Sequence, residues 1–211
     1  MVSSLSSFAN EPEYYGAGAS SMQEKMRAIV IMGVAGCGKS TIAQAMCRRI
    51  GAVLIEGDDF HSSHNIQKMR AGTPLTDEDR KGWLQRLAQA TANTLSNDRS
   101  AILACSALKR TYRDILRGAV PQLGCLYLEL TPAQAAARVA HRSNHFMPAS
   151  LIDSQFRDLE PPYDEPLVLT AAAVSPIDDI VDAALAWWAR INDSIDGVAP
   201  GQTLSSGPSR T

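Results

Sequence analysis

Five short apolar runs punctuate the chain: "AIVIMG" at 28–33, "AVLIEG" at 52–57, "AILAC" at 101–105, "CLYLEL" at 125–130 and "PLVLT" at 166–170. A strand wetted on one face would alternate apolar and polar residues. These runs do not, so they predict strands buried on both faces, as in a parallel sheet. Between them the apolar period lengthens to that of a helix. Ile42, Ala45, Met46 and Ile50 share one face over 40–50, and Trp83, Leu84, Leu87, Ala88, Thr91 and Leu95 do so over 80–95. Ile177, Ile180, Val181, Leu185, Trp188 and Ile191 repeat the pattern over 176–191. Pro132, Pro148 and Pro176 stand at first-turn positions, with Thr131 and Ser175 as N-caps before two of them. Thr76 reads as another N-cap, with Glu78 or Asp79 in the turn that follows. Strands alternating with helices in this order predict an α/β architecture: a doubly wound, five-stranded parallel sheet flanked by helices.

The pattern fades at both ends. Residues 1–26 and 193–211 are rich in Ser, Gly and Pro and poor in bulky apolar groups, which predicts disordered tails around one folded unit at 27–192. A length of 211 residues suits one such domain. The formal net charge of −2 argues against a nucleic-acid binder, which would carry a basic track. No uninterrupted apolar stretch reaches the length of a membrane span. The opening residues lack both a cation before Lys25 and a continuous apolar stretch, unlike a secretory or transit peptide. Cys37, Cys47, Cys105 and Cys125 have no metal-binding spacing, so they read as reduced thiols and the protein as cytoplasmic. Cys37, near a helix start, is the one whose thiol this reading expects to be more acidic than usual.

The strongest chemistry lies where the first run meets the first helix. "GVAGCGKST", Gly33 to Thr41, satisfies G-x-x-x-x-G-K-[ST] in the strand-to-helix setting that the motif requires. Gly33, Gly36 and Gly38 let main-chain amides turn inward around phosphate oxygens, with Val34, Ala35 and Cys37 as the intervening loop residues. Lys39 supplies a charge at the β- and γ-phosphates and Ser40 a hydroxyl to the Mg²⁺ that bridges them, while Thr41 opens the helix. These residues predict binding of a nucleoside triphosphate.

A cradle alone does not name an acceptor. The second run ends in "EGDD", at the carboxyl end of its strand, where ligands of such sheets bind. A carboxylate there can take a hydroxyl proton and orient the attacking oxygen, so Asp58 or Asp59 is the candidate base, with His61 and His64 as hydrogen-bonding neighbours. The third run ends in Cys105 and Ser106, without the strand-ending Asp that often helps to hold Mg²⁺.

Taken together, "GVAGCGKST", "GDDFH", "NIQKM", "GTPLTDEDRKGWL", "CSALKRTYRDILR", "HF" and "SQFRDLE" resemble the small P-loop gluconokinases from about residue 29 to 185. The resemblance implies ATP-dependent phosphorylation of D-gluconate at its 6-hydroxyl, with ATP and Mg²⁺ as cofactors. It also implies a P-loop kinase fold related to the shikimate and nucleoside-monophosphate kinases, a small helical lid at about 138–150, and a homodimer. It favours Asp58 over Asp59 as the base and assigns His61 to the substrate. An anionic substrate gives sense to the cations Lys68, Arg70, Arg80, Lys109 and Arg113, the last two taken with Tyr112 to share one helical face, with Ser106 bordering the same crevice. The segment "TPLTDEDRKGW" is expected to close over the substrate. Arg138 and Arg142 form an i,i+4 pair, and in this kinase class such lid arginines fold over the phosphates, with His145 and Phe146 matching the family's His-Phe. The adenine is expected near "AVSPIDDIV".

Three alternatives make different demands. A shikimate-type enzyme would show Gly-Gly-Gly after the third strand, where this chain has "CSALK". A nucleotide or adenylylsulfate kinase would want an aromatic sandwich for a base. A non-catalytic switch module would need neither a positioned acid nor paired lid arginines.

Overall fold

A computed structural model describes residues 25–140 and 149–196. The five predicted strands form: β1 (Ala28–Met32), β2 (Val53–Glu56), β3 (Ala101–Ala104), β4 (Leu123–Glu129) and β5 (Val168–Ala172). They pair in the order β2-β3-β1-β4-β5, and every pairing is parallel. The helices are α1 (Lys39–Ile50), α2 (Ser63–Arg70), α3 (Asp77–Ser96), α4 (Arg110–Ala119), α5 (Pro132–Ala140), α6 (Ala149–Asp158) and α7 (Ile177–Asp196). Arg142, His145 and Phe146 lie outside the described residues, as do residues 1–24 and 197–211.

In the central strands β3, β1 and β4 the absence of alternation has the expected cause, whereas the edge strands β2 and β5 are only partly buried. In β1, Ile29 and Ile31 enter an apolar layer with Ile42 and Met46 of α1 and Val181 and Trp188 of α7. Ala28, Val30 and Met32 enter a second layer with Trp83, Leu84 and Leu87 of α3 and Leu116 of α4. Burying such a side chain contributes about 1.5–3 kcal/mol, so a sheet covered on both faces is the favoured use of these runs.

Helix starts follow their capping residues. Thr76 Oγ1 accepts from the Asp79 amide at 3.2 Å and Asp79 Oδ2 accepts from the Thr76 amide at 2.8 Å, a reciprocal box. Thr131 and Gln134 make the same exchange at α5. Among the described residues no helix is long and apolar enough to cross a membrane, and all four cysteines are free.

Candidate active site

The carboxyl ends of β1, β2 and β3 border a cleft of about 220 Å³. Its first wall is the loop after Met32. Gly33, Gly36 and Gly38 have φ of 140°, 82° and 100°, which only glycine adopts without strain. At Gly33 space is also decisive, since a Cβ would sit 2.8 Å from the Leu128 carbonyl oxygen and 2.9 Å from Cys37 Sγ. The Gly33 amide donates to the Ser106 carbonyl at 3.2 Å, which fixes the loop to the end of β3. Helix α1 then begins with no side-chain cap and no acid in its first turn. Its leading amides are therefore left to an anion, in contrast to the boxed start of α3. Lys39 Nζ arches over the loop and donates to the Gly33 and Val34 carbonyls at 3.1 Å each. Val34 and Cys37 are buried in the apolar layer below, so their side chains serve packing and only their main chain belongs to the cradle.

The second wall is the turn after β2, a 3₁₀ turn over Gly57–Phe60. Gly57 is pressed against β3, where a Cβ would meet the Ala104 carbonyl oxygen at 2.5 Å. Trp83 of α3 donates from Nε1 to the Gly57 carbonyl at 2.7 Å and stacks on His61 with ring centres 4.3 Å apart. This fixes the turn so that Asp58 lines the cleft while Asp59 does not. Burial lowers the His61 pKa, with Arg80 and Arg86 adding to the effect and Asp58 opposing it. Its Nδ1 is buried without a hydrogen-bond partner.

Glu56, one residue before the turn, also lines the cleft and sits against the Ser40 hydroxyl. Burial holds its carboxyl above the usual range although Ser40 and Lys39 favour the charged form. Its one signal in the sequence is its place as the last residue of an apolar strand.

The cleft thus gathers Ala35, Gly36, Gly38, Lys39, Ser40 and Thr41 from the loop with Asp58, His61 and Ser106 from the neighbouring strand ends. Of the predicted cations Lys68, Arg70, Arg80, Lys109 and Arg113 it gathers Arg80 alone. Lys68 pairs with Asp79, and Arg70 lies exposed at the end of α2. Lys109 caps α4 instead of lying within it, and its Nζ meets Asp77 at 2.7 Å. Arg113 is buried, binds Glu165 and donates to the Ala107 and Leu108 carbonyls at 2.8 and 2.9 Å. The shared face expected of Lys109, Tyr112 and Arg113 is therefore corrected: Tyr112 and Lys109 both reach Asp77, whereas Arg113 turns inward. Burial opposes ionisation of Glu165, yet Arg113 and Arg117 together hold its pKa below the ordinary value. The cation that does line the cleft with Lys39 is Arg80, which donates to Tyr112 Oη and Asp158 Oδ2 at 3.0 Å each.

Arg138 lies on the opposite side of the phosphate loop. It donates to the Gly36 and Cys37 carbonyls at 3.3 Å and to the Ala173 carbonyl at 2.7 Å. There it borders a second pocket of about 420 Å³ with Ile42, Ser175, Ile177 and Ile180. This apolar slot beside "AVSPIDDIV" is where the sequence placed the adenine.

A phosphate cradle facing a strand-end acid is common to many kinases, and comparison with known proteins decides among them. The family model described as "AAA domain" matches residues 29–162. The gluconokinase of Gluconobacter oxydans (strain 621H) is 40% identical over 153 residues, which cover 72% of this chain and 86% of that protein. The chain belongs to the gluconokinase family. The thermosensitive gluconokinase of Escherichia coli (strain K12) is 42% identical over 133 residues, covering 63% of this chain and 71% of that protein. Among solved structures, a gluconokinase from Sinorhizobium meliloti 1021 aligns with TM-score 0.74 and 38% identity over 82% of this chain and 98% of that one. The gluconokinase-family fold thus accounts for the five-stranded parallel sheet and for the cradle that opens α1.

Proposed function

We propose that this chain transfers the γ-phosphoryl group of ATP to the 6-hydroxyl of D-gluconate, giving 6-phosphogluconate and ADP. The observation that carries the reading is Asp58 on the wall of the same cleft as Gly36, Gly38, Lys39 and Ser40. Family membership supplies the acceptor. The loop amides and Lys39 bind and orient the phosphates, concentrating positive potential where charge shifts during transfer. Asp58 accepts the proton of the attacking hydroxyl as that oxygen bonds to the γ-phosphorus and the bond to the β-bridging oxygen breaks. His61 and Arg80 both line the cleft, where the imidazole suits a polyol hydroxyl and the guanidinium suits the carboxylate.

A divalent cation fits the donors present. Ser40, Glu56 and Asp58 offer only oxygen, as Mg²⁺ prefers, and among the described residues no group of three or more His, Cys, Asp or Glu forms a cage. Mg²⁺ held by Ser40 and the phosphates would neutralise charge on the β- and γ-oxygens. The same reading carries a homodimer in the cytoplasm, which light scattering and fractionation check.

The test is ADP release across gluconate, other aldonates, shikimate and nucleoside monophosphates. Turnover with gluconate well above the rest is expected. Turnover with shikimate or a nucleotide, and none with gluconate, would sink the proposal.

A further inference from the structure

One helix touches both walls of the cleft. On α6, Gln155 Oε1 accepts from the Ala35 amide of the phosphate loop at 2.7 Å. One turn later Asp158 Oδ2 accepts from Arg80 Nη1 at 3.0 Å. Residues three apart share a helix face, so a single rigid turn bears the two contacts. Arg80 is 8% exposed, and Trp83 stands one turn further along α3. Trp83 in turn holds the Gly57 carbonyl and the His61 ring, directly beside Asp58. Contacts therefore run from the phosphate loop to the candidate base through α6 and α3 without passing through either substrate.

We propose that Gln155 and Asp158 are positioning residues that couple the two substrate sites, so that a nucleotide on the loop tightens binding of the anionic acceptor. The inference rests on the acceptor read above. The Ala35 amide has one hydrogen, and Gln155 holds it. A phosphate that draws this amide inward must lengthen or release that bond, and α6 transmits the change to Asp158. Asp158 neutralises Arg80, the arginine on the acceptor wall. Loosening that ion pair leaves more of the guanidinium charge for the acceptor's carboxylate. Linkage makes the effect mutual: the acceptor must tighten nucleotide binding by the same factor.

Calorimetry tests this in two arms on the full chain. The first compares gluconate affinity with and without a non-transferable β,γ-methylene analogue of ATP. The wild type is expected to bind gluconate at least about fivefold tighter with the analogue, the lower end of usual couplings. Gln155→Met, similar in size but without the acceptor oxygen, is expected to bring the ratio close to one while circular dichroism and melting temperature stay near wild type. A wild-type ratio of one, or an unchanged ratio in Gln155→Met, overturns the proposal.

The second arm needs no acceptor. Asp158→Asn is expected to alter the analogue's Kd in the wild-type background and to leave it unaltered in Gln155→Met. Equal effects in both backgrounds overturn the coupling. Failure of gluconate to bind, with this cycle intact, counts against the proposed acceptor and not against the coupling.

Discussion

On the donor wall of the cleft the groups that face a phosphate are main-chain amides, held by three glycines with positive φ, at a helix start that carries neither cap nor acid. On the acceptor wall the groups are side chains, and several of its predicted cations already hold a carboxylate: Lys68 with Asp79, Lys109 with Asp77, Arg113 with Glu165. A main-chain site is written into glycine spacing and can be read directly. A side-chain site depends on which acid each cation meets after folding, and neither residue shows that in sequence.

The sharpest probe of the acceptor wall is the pair of adjacent aspartates. Asp58→Asn is expected to lower kcat by ~10²–10⁴ with ATP affinity largely kept, the range for loss of a positioned base. Asp59→Asn, whose carboxylate does not line the cleft, should stay within about tenfold of wild type. The reverse ranking in steady-state kinetics would move the base one residue along. On the donor wall, Lys39→Met should lower kcat by ~10²–10³, the usual cost of removing one preorganised donor. Unchanged turnover there would break the account of the cradle.

Arg113 separates the two kinds of cation. Arg113→Met leaves Glu165 with Arg117 alone and is expected to cost about 3 kcal/mol in urea unfolding, while KM for gluconate stays near wild type. A raised KM without loss of stability would return Arg113 to the acceptor site. A smaller effect belongs to His61. Its folded pKa lies below the ordinary 6.5, so between those two values the unfolded chain binds the extra proton. Stability should therefore fall as pH drops from about 6.5 through that window, and His61→Gln should flatten this part of the profile. The smallest effect is expected at the surface, where Lys109→Ala should cost less than about 1 kcal/mol in thermal unfolding.

The sheet, the helices that flank it and the cradle were legible because each rests on a local signal: an unbroken apolar run, a period of 3.6, a glycine spacing. Thr76 and Thr131 were legible as caps for the same reason. The acceptor wall was less so. Arg113 sits in a motif that matches the family, yet the acid that claims it, Glu165, is 52 residues away. Glu56 looked like the tail of a strand until the fold set it against Ser40. Gln155 falls in the matching motif "SQFRDLE", but its contact was not legible, because its partner is the main-chain amide of Ala35, 120 residues earlier. Long-range side-chain pairing, not local propensity, decides these positions.

The central claim is transfer of phosphate to one hydroxyl of one acid. Its most direct test is phosphorus NMR of the product formed by the wild-type chain from ATP and gluconate. The account predicts one ADP released per gluconate consumed and a single phosphate monoester, coupled to the protons on carbon 6. ADP formed with inorganic phosphate alone, or a phosphate on another carbon, would contradict it.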